Sequence, residues 1–169
     1  MKKLIKIIID QYAQSFGGVH GVSHWARVLE NGRLIARNTD ANLEIIELFS
    51  LFHDSKRVTE TRDHNHGLRG AEFAASLRGE AFQLSDNDFD LLYYACSHHT
   101  NGLTDADITV QACWDSDRLD LGRALITPVP EKMCTEIAKE QEIIEWAHKR
   151  SCDGFRPALI MDEWGLDLK

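Results

Sequence analysis

Several things are missing from this chain, and each absence removes a class of protein. No apolar stretch is long enough to span a membrane, and the opening M-K-K-L-I-K-I-I-I-D is broken by Lys6 and Asp10, so it lacks the unbroken apolar core of a signal peptide. Basic residues are in deficit: 19 Lys and Arg against 27 Asp and Glu leave a net charge of −8, and no basic run offsets it, which argues against a nucleic-acid surface. The four cysteines, Cys96, Cys113, Cys134 and Cys152, contain no C-x-x-C spacing, and read as small buried side chains of a reducing cytoplasm. Repeats, low-complexity segments and linkers are also lacking, and no segment reads persuasively as a strand.

What remains is enough for one compact all-α domain spanning residues 1–169. A hydrophobic content of 43% in 169 residues supports a substantial core. Apolar periodicity predicts about seven helices, over 2–15, 24–37, 41–54, 66–79, 86–99, 106–121 and 131–150. The first carries Ile5, Ile8, Ile9, Tyr12 and Phe16 on one face. Asp40 is the expected N-cap of the third, and Ser85 with Asp88 forms a capping-box pattern before the fifth. Pro128 and Pro130 punctuate the entry to the last, whose alternating charges suggest a solvated face. The tail from 151 to 169 lacks periodicity, but Phe155, Ile160, Met161 and Trp164 suit it to packing back on the bundle.

The chemistry is concentrated in histidine and aspartate. His24 shares a helical stripe with Val28 and Ile35, so it points inward. His53 and Asp54 close the most apolar segment, Leu43 to Phe52. Adjacent helical residues diverge by roughly 100°, so this pair can grip one ion from two sides, or Asp54 can bridge two. Asp117 lies on the stripe of Val110, Cys113, Trp114 and Leu121, where a buried carboxylate needs a cation or a donor. Asp115 lies on the face of Ile108, Ala112 and Leu119, so helical phase alone does not choose between the two. His66 opens a helix on the stripe of Gly70, Phe73 and Leu77. His98 and His99 end another and diverge around it, so both or only one can face the interior.

His24 with its H-W-A-R-V run, H-D-S-K at 53–56 and D-S-D-R-L-D-L-G at 115–122 resemble, in order and approximate spacing, the HD-domain superfamily of metal-dependent phosphohydrolases, across roughly residues 20–123. The resemblance implies an all-helical fold, a divalent metal centre held by His24, His53, Asp54 and Asp117, and hydrolysis of phosphate esters. H-x-x-x-G at 66 and the pair His98-His99 resemble the subgroups that hold two metals. The pair is followed by Thr100 where one such subgroup has Glu, and that subgroup's G-Y-P signature is absent, so cyclic-dinucleotide chemistry is not implied. Lys56 resembles the position at which many members place a lysine near the phosphate. Arg27 and Arg118, beside ligands, are candidates to contact phosphate or orient a carboxylate.

A mixed His and carboxylate shell suits one or two ions of Mn, Fe, Co, Ni or Zn better than Mg, which prefers oxygen ligands. The expected partner is a small phosphorylated compound, a nucleotide or another metabolite. Two other readings of the same residues are a metal- and nucleotide-binding regulatory module without turnover, and an HD-type di-iron oxygenase.

Overall fold

The structure, a computed structural model, describes residues 1–167. Among these it contains α1 (Lys2–Asp10), α2 (Val22–Ala36), α3 (Leu43–Phe52), α4 (His66–Leu77), α5 (Asp86–His98), α6 (Ile108–Arg118), α7 (Glu136–Lys139), α8 (Gln141–Cys152) and α9 (Leu159–Asp162), with 3-10 turns at Leu121–Ala124 and Pro130–Lys132. There is no strand among them, only an isolated bridge between Arg78 and Phe82.

The most apolar segment becomes the centre of the molecule. Ile45, Ile46, Leu48, Phe49, Leu51 and Phe52 of α3 are all buried, as expected of a helix whose apolar face is wide, with Glu44 and Glu47 on the narrow outer side. Helices α1, α2, α4, α5 and α6 pack around it. Trp25 and Trp114 are the largest fully buried side chains, and the Trp114 indole donates to the Ala95 carbonyl. Because α3 is enclosed, the residues that follow its last turn, His53 and Asp54, emerge inside the bundle and not at its surface.

Four local expectations are corrected. The first helix ends at Asp10, not near 15: Gln11 caps it, the Tyr12 hydroxyl donates to the His20 carbonyl, and Phe16 lies partly exposed against Tyr12. The cap of α3 is Asn42, not Asp40, since its side chain accepts from the Glu44 N–H at 3.0 Å. The long C-terminal helix over 131–150 is two pieces, α7 and α8, parted by extended backbone at Glu140. A buried carboxylate accounts for the late start of α7: Asp115 accepts from the backbone N–H groups of Cys134 and Thr135 and from the Thr135 hydroxyl, holding those residues out of a helix. Of the cysteines, Cys96 and Cys113 are buried but Cys134 is half-buried and Cys152 exposed. The tail returns to the bundle through Leu159, Ile160 and Trp164, while Phe155 and Met161 stay exposed; its last two residues lie outside the described residues.

Two glycines on α4 determine how close the helices come. A Cβ at Gly70 would stand 2.3 Å from the Phe52 carbonyl oxygen, and one at Gly67 would stand 2.3 Å from the Cys96 carbonyl oxygen of α5. Backbone therefore meets backbone on both sides of α4, which is what draws His66 toward α3 and α5. Gly70→Ala should cost about 1–3 kcal/mol by overpacking, measured as a lowered urea midpoint. Gly17→Ala, where a Cβ meets nothing within 4 Å, should be near neutral, and equal effects at the two positions would refute the close-approach account.

Candidate metal centre

Four buried histidines have their Nδ1 atoms tied to acceptors, and this fixes where their other nitrogens point. His53 Nδ1 faces the Phe49 carbonyl one turn back at 3.0 Å, and His99 Nδ1 faces the Cys96 carbonyl at 2.7 Å. His66 Nδ1 faces the Asp63 carbonyl, and His24 Nδ1 faces the Asp120 carboxylate at 2.7 Å. A carbonyl or carboxylate only accepts, so each Nδ1 carries the proton and each Nε2 presents a lone pair. Those lone pairs converge: His24 and His53 bring their Nε2 atoms to 3.0 Å, and His66 and His99 bring theirs to 2.9 Å. Two acceptors facing each other at that distance need a cation between them.

Aspartates complete two adjoining sets. Asp117 Oδ1 lies 3.4 Å from His24 Nε2 and 3.8 Å from His53 Nε2. Asp54 turns one oxygen to each pair: Oδ2 is 3.5 Å from His24 and 3.7 Å from His53, and Oδ1 is 3.1 Å from His66 and 3.8 Å from His99. With a metal–ligand bond of about 2.1 Å, ligand atoms at right angles stand about 3.0 Å apart and tetrahedral ones about 3.4 Å. The observed spacings fit such ions. The residues present can therefore hold one ion on His24, His53, Asp54 and Asp117 and a second on Asp54, His66 and His99.

The charge state agrees. Burial pushes the His53 imidazole down to about 3, so it is neutral and ready to donate. Burial alone would raise Asp54, but the imidazoles gathered around it, His53 first and then His24, His66 and His99, hold it well below the usual carboxylate range. At Asp117, likewise, the cost of burial is overridden, here mainly by the Arg123 guanidinium, 3.2 Å from Oδ1. His99 is raised despite its burial, through its hydrogen bond to Asp54 and the charge of Asp117.

No family model and no curated protein matches the chain. Among solved structures, it is similar to the crystal structure of a predicted HD superfamily hydrolase from an uncultured Thermotogales bacterium, at 24% identity and a TM-score of 0.68, over 98% of this chain and 93% of that one. The chain has the HD-domain fold.

Within that HD-domain fold the structure brings together His24, His53, Asp54, His66, His99 and Asp117 and leaves out four residues expected beside them. His98 points away, its ring against Tyr94 and Asn101, because one step along α5 rotates it off the face of His99. Lys56 is turned outward: its ammonium lies 3.8 Å over the Phe73 ring and donates to Gln11. Arg27 does not reach for phosphate but clamps Asp120 with Nε and Nη2, while Nη1 donates to the Phe155 carbonyl of the tail. Arg118 spends its donors on the Leu103 and Lys132 carbonyls. Asp115, which phase could not separate from Asp117, is the structural carboxylate that holds the start of α7.

Three residues unseen in the sequence belong to the site. Asp120 orients His24; its signal was its place in the D-S-D-R-L-D run, one turn past Asp117. Arg123 pairs with Asp117 and donates to the Asp120 carbonyl. Arg57, beside Lys56, sends Nη1 to within 3.0 Å of His66 Nε2 and 3.4 Å of Asp54 Oδ1. A cavity of about 650 Å³ opens against His99 and Asp117, walled by Ile126, Pro128, Val129 and Met133.

The purified protein should carry a divalent transition ion. His53→Ala should empty the first set, Asp54→Ala both, and His66→Ala only the second, read as ions per folded chain by plasma mass spectrometry. Full occupancy in all three variants would overturn the assignment. Acid stability gives a separate check. With a folded value of about 3 against 6.5 unfolded, His53 contributes stability that is present above pH 6.5 and lost as the pH falls toward 3. The metal-free protein should lose up to about 1.4 kcal/mol per pH unit from this group in that window. Urea titrations of His53→Asn should show a shallower pH dependence by that amount, and parallel curves would show that His53 is not held neutral.

Proposed function

We propose that the protein is a metal-dependent phosphohydrolase acting on the phosphate ester of a nucleotide or other small phosphorylated metabolite in the cytoplasm. One observation carries this reading above the others: two facing pairs of imidazole lone pairs share a single carboxylate, Asp54, with one oxygen toward each pair. That is a cradle for two adjacent divalent ions. When bound, such ions supply Lewis acidity, lowering the pKa of water and neutralising phosphoryl oxygens.

The chain's own residues do the positioning. Asp54 fixes the spacing of the two sets, and Asp120, braced by Arg27, holds His24 at the angle its set requires. Arg123 balances the anionic Asp117 from outside the ligand set. The adjoining cavity has room for the organic part of a small ester, and its apolar wall suits a neutral group better than a second anion. The likeness to a predicted HD superfamily hydrolase supports hydrolysis over simple binding.

Protein reconstituted in turn with Mn, Fe, Co, Ni and Zn and screened against phosphomonoesters and nucleotides should release inorganic phosphate with at least one of them. Asp54→Asn should abolish that release. Lys56→Ala should leave kcat/KM within about twofold, because the ammonium is engaged at Gln11 and Phe73. No phosphate release with any metal would leave the regulatory module, and oxygen uptake by the iron form would instead mark the di-iron oxygenase.

A further inference from the structure

The two sets of ligands differ in one respect that their residue types do not reveal. At the first, the neighbouring guanidinium of Arg123 touches a carboxylate oxygen, Asp117 Oδ1. Such an oxygen has lone pairs for both an N–H and an ion. At the second, Arg57 Nη1 stands 3.0 Å from His66 Nε2 and 3.4 Å from Asp54 Oδ1. With Nδ1 of His66 donating to the Asp63 carbonyl, Nε2 has a single lone pair. That lone pair can take the Arg57 proton or an ion, never both.

The arginine is held there. Its Nε and Nη2 donate to the Thr59 and Thr61 carbonyls of its own loop, and the side chain is buried. Two donors are thus anchored in the loop, and Nη1 alone reaches into the ligand set. A guanidinium stays charged at any physiological pH, so it fills the second set as a resident cation.

Resting on the metal-centre reading above, we propose that Arg57 gates the second site: it occupies His66 while one ion is bound, and yields when a second ion enters. The freed Nη1, still tethered by the loop carbonyls, is then a charge-assisted donor at the edge of the ion pair, placed for a phosphoryl oxygen. The second ion and the phosphate group therefore help each other bind, since each gives Arg57 or His66 the partner that the other removes.

Manganese(II) titrated into metal-free protein by calorimetry tests the gate without any turnover. In the wild type the second ion should bind more weakly than the first. Arg57→Ala and Arg57→Gln should tighten the second step about tenfold to hundredfold, the worth of a charge-assisted hydrogen bond, with the first step unchanged. Inorganic phosphate titrated into the two-ion form should bind these variants about tenfold more weakly than wild type. The opposite signs separate a gate from a merely structural arginine, whose loss would weaken both steps. The unchanged first step reports that the variant has folded, and Gln, shorter than arginine and with two N–H donors in place of five, still leaves a polar, uncharged side chain in the loop where Ala leaves none. A second step that is unaltered or weaker in both variants overturns the proposal. Normal ion steps without hydrolysis of any ester would overturn the phosphohydrolase reading alone.

Discussion

The site depends on a tautomer. Each of the four inward histidines surrenders Nδ1–H to an acceptor, and only for that reason do four Nε2 lone pairs meet in one buried space. Three of the acceptors are carbonyls a turn or less behind the histidine, so a place at the end of a helix or in the turn before one is enough to set the proton. His24 is different. It sits in the first turn of α2, where the Gly21 carbonyl behind it already takes the backbone N–H groups of His24 and Trp25, and its acceptor is brought from 96 residues away, as Asp120 Oδ2. That carboxylate is in turn clamped by Arg27, whose remaining amino group rests on the Phe155 carbonyl. The second layer around His24 therefore extends through the bundle into the C-terminal segment.

Buried charge on this scale is poor evidence for stability. Asp54, Asp115, Asp117 and Asp120 are all buried, and so are Arg27, Arg57 and Arg118. Paired ions in a protein interior contribute little against apolar replacements of similar shape, while an unpaired one is costly. Asp115 and Arg118 have evidently architectural tasks, since Asp115 takes the N–H groups that open the C-terminal segment and Arg118 ties down the Leu103 and Lys132 carbonyls. The others crowd around the histidines, where they orient or balance the ligand sets.

How much of this was legible follows from where each residue sits. Stripe analysis works where a helix has one wet side, and it placed His24 and the apolar run of α3 correctly. On α6 it fails, because nearly every residue from Thr109 to Arg118 is buried and Asp115 and Asp117 look alike. At His98 and His99 the pair straddles the boundary between faces of α5, so one member had to be lost. Lys56 and Arg57 lie beyond the end of α3, where the chain turns and helical phase no longer says which side chain goes inward. The late start of α7 was invisible because its cause, Asp115, is 19 residues upstream of the Cys134 N–H it binds.

The two ligand sets also differ in how much chain they require. The set of Asp54, His66 and His99 is complete by residue 99, whereas that of His24, His53 and Asp117 waits for residue 117, and the acceptor that orients His24 for residue 120. On a ribosome, which delivers the N-terminal part first, the local set can close around Asp54 while α6 is still unmade. The long-range set is sealed only when α6 docks. The newborn protein thus completes its two ligand sets in an order opposite to the one in which the proposed gate would let them fill.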